Sequence, residues 1–224
     1  MNYIVSDTDM TSVADAIRTK GNTQSPLEFP SGFESAIANL GGDDSTLAAL
    51  IDRSITEITI PSGVTNIGHG AFYNCKLENV VIPSSVTTIN EDAFHGCQYL
   101  TSVVIPNSVT SIKYSAFYGC YKLENVVIPS SVTTIGGSAF GSCNKLPSIV
   151  IPNSVTSIGG SAFSYCSKLT SVTCEAVTPP TLGSNAFSGV PVDCAFYVPA
   201  ESVDTYKAAS GWSDRAAYIQ AIPT

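Results

Sequence analysis

From Ile55 onward, apolar and polar positions repeat with one fixed period. The plainest copy runs from Leu123 to Lys145 and reads LENVVIPSSVTTIGGSAFGSCNK. Copies begin at Ile55, Leu77, Leu100, Leu123 and Leu146, and an altered sixth begins at Leu169. Within a copy, L-x-x-V-x-I-P predicts a strand with Val126 and Ile128 on one inward face. Pro129 ends it, because proline has no N–H to give to a ladder. S-V-T-x-I predicts a second short extended piece with Val132 and Ile135 inward. GGSAFGSC reads as a tight turn or one helical turn that drives Phe140 into the interior. Each unit thus supplies Leu, Val, Ile, Val, Ile, Phe and Cys to a core it cannot close alone. Only stacking buries those side chains, so the period predicts a mainly β solenoid of about 23-residue units. Five turns at the strand spacing give a core about 25 Å long.

The ends differ in pattern. Residues 1–42 predict a helical module. Asp7 or Thr8 caps a helix with Met10, Val13, Ala14 and Ile17 at helical spacing, and a second helix over 31–40 carries Phe33, Ile37 and Leu40. Gly41 and Gly42 break the pattern. Residues 43–54 read as an N-terminal cap or linker, 55–168 as five repeats, and 169–224 as a degenerate last repeat with a C-terminal cap. In that last unit Cys174-Glu175 replaces Ile-Pro, Pro179-Pro180 interrupts the second strand, and Val190 stands at the cysteine position. AFYVP ending at Pro199 reads as a strand. AESVDTYKAASGW reads as a helix with Val203 and Tyr206 on one side, and a second short helix is expected from Ala217 to Ile222. Trp212 is expected to plug the last turn.

Composition narrows the function classes. Hydrophobic residues make up 44% and charged residues only 12%, so Ser, Thr, Asn and Gly must supply most of the solubility. The net charge of −8 argues against nucleic acid as a partner, and against an anionic membrane surface. It leaves a cationic partner or an uncharged glycan. No apolar run is long enough to span a bilayer. MNYIVSDTDM lacks the basic and apolar regions of a secretory signal, so release by another route, prior removal of a signal, or retention are the alternatives. Cys75, Cys97, Cys120, Cys143 and Cys166 each follow the repeat Phe by three residues and read as a column of small buried thiols. No Cys-x-x-Cys or Cys/His spacing points to zinc, and no cofactor motif is present. Cys174 occupies a core position; Cys194 is out of register, and a bridge between the two stays open.

Catalytic readings find little support. His69 and His95 lie in adjacent turns at unmatched positions, and no motif such as G-x-S-x-G places a nucleophile and an acid beside either. Glu91 and Asp92 share one turn, without the opposed arrangement a glycosidase needs. Gly136-Gly137 and Gly159-Gly160 recur at one repeat position and read as turn residues, not as a phosphate loop. Two surface features suit binding instead. Val81, Val104, Val127 and Val150 are outward positions of the main strands, flanked by Asn79, Ser102, Asn125 and Ser148, and an aligned apolar ribbon of this kind often marks a contact surface. β-propensity alone is the competing explanation. Tyr73, Tyr99, Tyr114, Tyr118 and Tyr121, with His95 among them, crowd the turns of the first three repeats and suit recognition.

The string IPxSVTxIGxxAFxxCxxLxxVxIP, kept over five successive copies between 55 and about 199, resembles the BspA-like leucine-rich repeats of bacterial surface proteins. TPPTLGSNAFSGVP…YVPAESVDTYKAASGW resembles the terminal unit of that family. The resemblance implies a curved leucine-rich-repeat solenoid, adhesion or recognition of a protein or glycan on a host or neighbouring cell, and no enzyme activity. It carries over core positions and no functional residues. Separately, VSDTDMTSVADAIRTKGNTQSPLEFPSGFESAIANL resembles a module near the start of tail and structural proteins of phages and prophages in gut bacteria. That implies a virion home, release by lysis, and assembly into an oligomer or larger particle through residues 1–42.

Overall fold

A computed structural model describes residues 53–223. The helical module expected in 1–42 and most of the cap expected in 43–54 lie outside these residues. Each turn of the chain contributes a pair of short strands. The pairs are β1 (Glu57–Thr59) and β2 (Asn66–Ile67), β3 (Asn79–Val81) and β4 (Thr88–Ile89), β5 (Ser102–Val104) and β6 (Ser111–Ile112). They continue as β7 (Asn125–Val127) and β8 (Thr134–Ile135), β9 (Ser148–Ile151) and β10 (Ser157–Ile158), β11 (Ser171–Cys174) and β12 (Thr181–Leu182). A seventh turn supplies β13 (Ala195–Val198). Even-numbered strands β2 to β12 form one continuous parallel sheet. Odd-numbered strands stack as the main column, hydrogen-bonded in blocks β1–β3, β5–β7 and β9–β11–β13. The expected β solenoid is what the chain forms.

Register follows the sequence repeat. Ser102, Val103 and Val104 lie beside Asn125, Val126 and Val127, and Ser157 and Ile158 lie between Thr134–Ile135 and Thr181–Leu182. The alternating strand pattern sends Val103 and Val126 into the core while Val104 and Val127 face out. Phe72, Phe94, Phe117, Phe140 and Phe163 are essentially fully buried, with successive ring centroids 5.1, 5.2, 5.4 and 5.5 Å apart. Each such ring contributes about 1.5–3 kcal/mol by transfer from water. An alanine precedes every one, and Ala93, Ala116, Ala139 and Ala162 are equally buried, a core column the sequence reading left out.

The turn carrying the phenylalanine is not helical. It is two successive tight turns, closed by Ala139 N–H to Gly136 O at 3.3 Å and Gly141 N–H to Ser138 O at 2.9 Å. Positive φ brackets the ring: Asp92, Ser115, Ser138 and Ser161 two residues before it, and Asn74, Gly96, Gly119, Ser142 and Tyr165 two residues after. Gly, Asn and Asp tolerate this region best, and serine holds it at Ser115, Ser138, Ser142 and Ser161. Gly136 and Gly159 serve otherwise, since neither has a positive φ. A Cβ on Gly159 would sit 2.4 Å from Gly137 N, so this glycine permits close rung-to-rung approach.

Serine and cysteine columns tie the rungs together. Ser85, Ser131 and Ser154 hydroxyls donate to carbonyls of Val64, Val109 and Val132 one rung back, at 2.7, 2.6 and 2.7 Å. Cys97, Cys120, Cys143 and Cys166 thiols reach the carbonyls of Phe72, Phe94, Phe117 and Phe140 at 3.1–3.4 Å. Cys174 and Cys194 are both buried and unbridged, so the bridge left open between them does not form. Cys174 Sγ instead accepts from the Tyr206 hydroxyl at 3.1 Å.

The C-terminal cap differs from expectation in two ways. Its helix, α1 (Val203–Ala208), is a short one preceded by a 3-10 turn at Ala200–Ser202. The second helix expected over Ala217–Ile222 is replaced by a 3-10 segment, Ser213–Tyr218, and a strand β14 (Ile219–Ala221). β14 pairs with β13, placing Ile219 beside Phe196. The unpaired edge of β13 needs a partner, and an extended Ile219-Gln220 sends Ile219 inward while satisfying that edge. Pro179-Pro180 does not abolish the second strand, because β12 forms immediately after it. Trp212 plugs the last turn as expected, buried and donating from Nε1 to Pro180 O at 2.8 Å.

Candidate recognition surface

The main column positions the first candidate. Inward residues of β3, β5, β7 and β9 are held by the core, so the alternate positions are pushed outward on a rigid support. Val81, Val104, Val127 and Val150 are accordingly 50–69% exposed. Val104 and Val127 are direct neighbours in the ladder, while Thr59 and Thr173 continue the row beyond Val81 and Val150. Asn79, Ser102, Asn125 and Ser148 lie on the same face two residues earlier, all exposed. The ribbon is therefore four branched side chains wide on consecutive rungs, with a hydrogen-bonding border.

The tyrosines do not form one cluster. Tyr73, His95 and Tyr118 make a short column outside the phenylalanine stack, with centroid separations of 4.7 and 5.0 Å. Arg53 caps it, lying 5.7 Å from the Tyr73 ring centre and donating to the Tyr73 carbonyl. The column stops at Gly141, where a Cβ would come within 2.8 Å of Tyr118 Cδ2. Tyr73 and Tyr118 are therefore half-buried. Tyr114, by contrast, is exposed and leans on Gly137. Tyr99 and Tyr121 are exposed beside the start of the main strands, and Lys122 Nζ lies 4.7 Å above the Tyr99 ring. Tyr165, 62% exposed and in the left-handed region, is a further exposed tyrosine, missed because it follows the repeat Phe by two residues rather than one.

Asp92 links two histidines across the turns. Its carboxylate accepts from His95 Nδ1 at 2.9 Å and lies 3.7 Å from His69 Nε2. His95 is thereby fixed between the Tyr73 and Tyr118 rings. The thiols offer no nucleophile either. Burial pushes Cys97, Cys120 and Cys143 well above the ordinary thiol range, Cys166 to about 12 and Cys194 to about 11. At neutral pH they stay protonated, and the thiolate is the reactive form. Among the described residues, no group of three or more His, Cys, Asp or Glu is placed to hold a metal ion. None of the described helices is long and apolar enough to cross a membrane. A cleft of about 600 Å³ separates the last rung from the cap, lined by Ser184, Asn185, Phe187, Gly211 and Arg215. Arg215 spends its guanidinium on carbonyls of Phe187, Val190 and Pro191, so it holds the cap in place.

Comparison with known proteins agrees with this architecture. The family model of the BspA type leucine rich repeat region matches residues 65–193 in six copies. A leucine-rich repeat protein from Bacteroides ovatus superposes with a TM-score of 0.54 at 27% identity, over 64% of this chain and 47% of that one. The chain thus spans about half the length of that relative. The leucine rich repeat protein of T. pallidum superposes with a TM-score of 0.52 at 32% identity, over 59% of this chain and 70% of its own. No curated protein sequence matches the chain.

Proposed function

Because the chain belongs to the BspA-type leucine-rich repeat family, we propose that it is a non-enzymatic recognition protein that binds a protein or glycan on a host or neighbouring cell. The observation that carries this reading is the valine ribbon. Val81, Val104, Val127 and Val150 are exposed on consecutive rungs of a sheet whose other face is fixed by the core. Contiguous apolar area of this kind favours a contact surface, and the exposed Tyr99, Tyr114 and Tyr121 add amphipathic contact area at other points of the same rod. Tyr73 and Tyr118, half-buried on either side of His95, add a separate aromatic strip at the phenylalanine turns. Such a protein works outside the cell that makes it, on a cell surface or a phage tail. The test is adhesion of beads coated with the full chain to epithelial cells and to co-resident bacteria. Replacing the four valines by threonine keeps shape and strand preference, and adhesion should then be lost; undiminished adhesion would refute the ribbon. The likeness of residues 5–40 to phage-tail modules supports a second reading, in which the repeats extend from a larger particle. Sizing the chain with and without residues 1–42 separates the two, since only assembly requires a change of oligomeric state.

A further inference from the structure

The residue just before the core leucine is the same kind on nearly every rung. Lys76, Tyr99, Lys122, Lys145 and Lys168 precede Leu77, Leu100, Leu123, Leu146 and Leu169. Those leucines are fully buried in register, so the preceding side chains are set out as a row running along the solenoid axis, and every member is exposed. Lys122 Nζ above the Tyr99 ring shows two successive members of the row in contact. Four of the eight Lys and Arg residues in 53–224 thus lie on one line. Glu78 and Glu124 follow the leucines on the first and third of these rungs, but Pro147 and Thr170 follow them on the last two. Lys145 and Lys168 therefore have no acidic neighbour across the leucine. Three residues downstream, the row is flanked by the Asn79, Ser102, Asn125 and Ser148 border of the valine ribbon.

The overall charge does not cancel this feature. Ten of the eighteen carboxylates and eight of the ten cations lie in 53–224, giving this part a net −2 against −8 for the whole. Exposed charges beyond about 10 Å are largely screened at ordinary ionic strength, so the local row governs what approaches it.

We propose that this edge of the main sheet binds a linear acidic polysaccharide lying along the solenoid axis, one carboxylate per rung. This deepens the recognition reading above and rests on it. Spacing selects the occupant. Adjacent rungs are about 4.7–4.9 Å apart, whereas an extended polypeptide advances about 3.3–3.4 Å per residue and shows like-facing side chains only every second residue. Acidic side chains of a peptide would fall out of step with the lysines within two rungs. A uronate polymer advances by close to one rung per ring and carries one carboxylate on each. Lysine can serve here as a compact point charge on a flexible stem, reaching a carboxylate from its own rung. The exposed Tyr121, next to Lys122 in the chain, supplies a face for a sugar ring within the row, and the Asn and Ser border supplies partners for hydroxyls.

The experiment titrates the full chain with polygalacturonate and alginate, a neutral galactan of matched length, and poly-glutamate, by calorimetry at low and at high salt. Polyuronate binding that weakens with salt is expected, with none for the galactan and weaker binding for poly-glutamate. Lys122→Gln with Lys145→Gln and Lys168→Gln should weaken polyuronate binding by about tenfold or more, about 1.4 kcal/mol. Lys113→Gln with Lys207→Gln, exposed elsewhere, should leave it unchanged. Melting curves confirm that both variants fold. Absence of polyuronate binding, equal binding by the triple variant, or tighter binding of poly-glutamate each overturns the proposal. Cell adhesion that persists in any of those cases leaves the recognition function standing; polyuronate binding without adhesion refutes that function and retains this site.

Discussion

The Phe117 ring lies flat over that of Phe140, with centroids 5.4 Å apart and planes 3° from parallel. Parallel planes at this centroid distance are compatible with the offset stacking that aromatic pairs prefer, and the backbone repeat holds the rings there. Phe117 N–H donates to Ala139 O at 2.8 Å, and the equivalent bond recurs from Phe94 to Ala116 and from Phe140 to Ala162. Each ring is held at a fixed height by a hydrogen bond to the next rung.

Among the described residues, a ring inside this column has aromatic neighbours above and below, while Phe72 has Phe94 on one side. Phe117→Ala should therefore cost about 3–5 kcal/mol once the cavity is counted, and Phe72→Ala less. Urea unfolding followed by circular dichroism measures both. Equal penalties at the two positions would show that the stack adds nothing beyond burial.

Glycines divide by what surrounds them. A Cβ on Gly159 would meet Gly137 N at 2.4 Å and Gly136 C at 2.7 Å, and backbone cannot step aside. Gly159→Ala should destabilise by about 1–3 kcal/mol, the usual range for overpacking. Gly63 has nothing within 4 Å of the same added atom. There alanine only narrows the unfolded ensemble, and Gly63→Ala should be neutral or stabilising by about 0.4–1 kcal/mol. Thermal midpoints of the two variants should move in different directions.

Much of this was legible in the sequence for a physical reason. A unit that buries its side chains only on its own copies must repeat them, so Val126, Ile128, Val132, Ile135, Phe140 and Cys143 announce their burial by recurrence. Ala139 recurs as faithfully, yet a methyl group carries too weak a hydrophobic signal to be read as core. The ends failed where no repeat was available. Ile219 became a strand residue because β13 offers an open edge, a tertiary fact invisible in the local pattern. At the surface, the outward valines followed from strand alternation. The tyrosines were miscounted as one group because proximity in the repeat does not fix which side of the rung a ring takes. Tyr118 lies on Gly141 while Tyr99 meets Lys122 near the main strands.

The buried thiols make the fold sensitive to alkali. Burial raises Cys166 to about 12 and Cys194 to about 11, from an ordinary 9.0. These groups are raised, so the unfolded chain releases their protons first. Their stabilisation is complete below the unfolded value and is lost as pH rises toward the folded values. Unfolding free energy should thus fall between about pH 9 and pH 12. Cys166→Ala with Cys194→Ala should flatten that decline, which separates the thiols from Tyr and Lys titrating in the same window. An unchanged slope would place the sensitivity elsewhere.

The cap can be followed by the chain's single tryptophan. Trp212 meets Tyr206 edge-on at 4.9 Å and Phe196 at 6.2 Å, and its N–H reaches back to Pro180 beside β12. Tyr206 is fully buried and donates to Ala176 O at 2.7 Å. Tyr206→Phe leaves that carbonyl unsatisfied and should cost about 1–3 kcal/mol. In this variant the loss should appear first in the tryptophan emission, at lower denaturant than the circular dichroism of the repeats, because a terminal unit of a stacked array unfolds on its own. Trp212→Ala removes the plug itself and uncovers the last rung, whose edge then invites pairing with another chain. Sedimentation should show that variant associating beyond the state of the parent chain. Coincident transitions in Tyr206→Phe would instead mean that cap and repeats unfold as one unit.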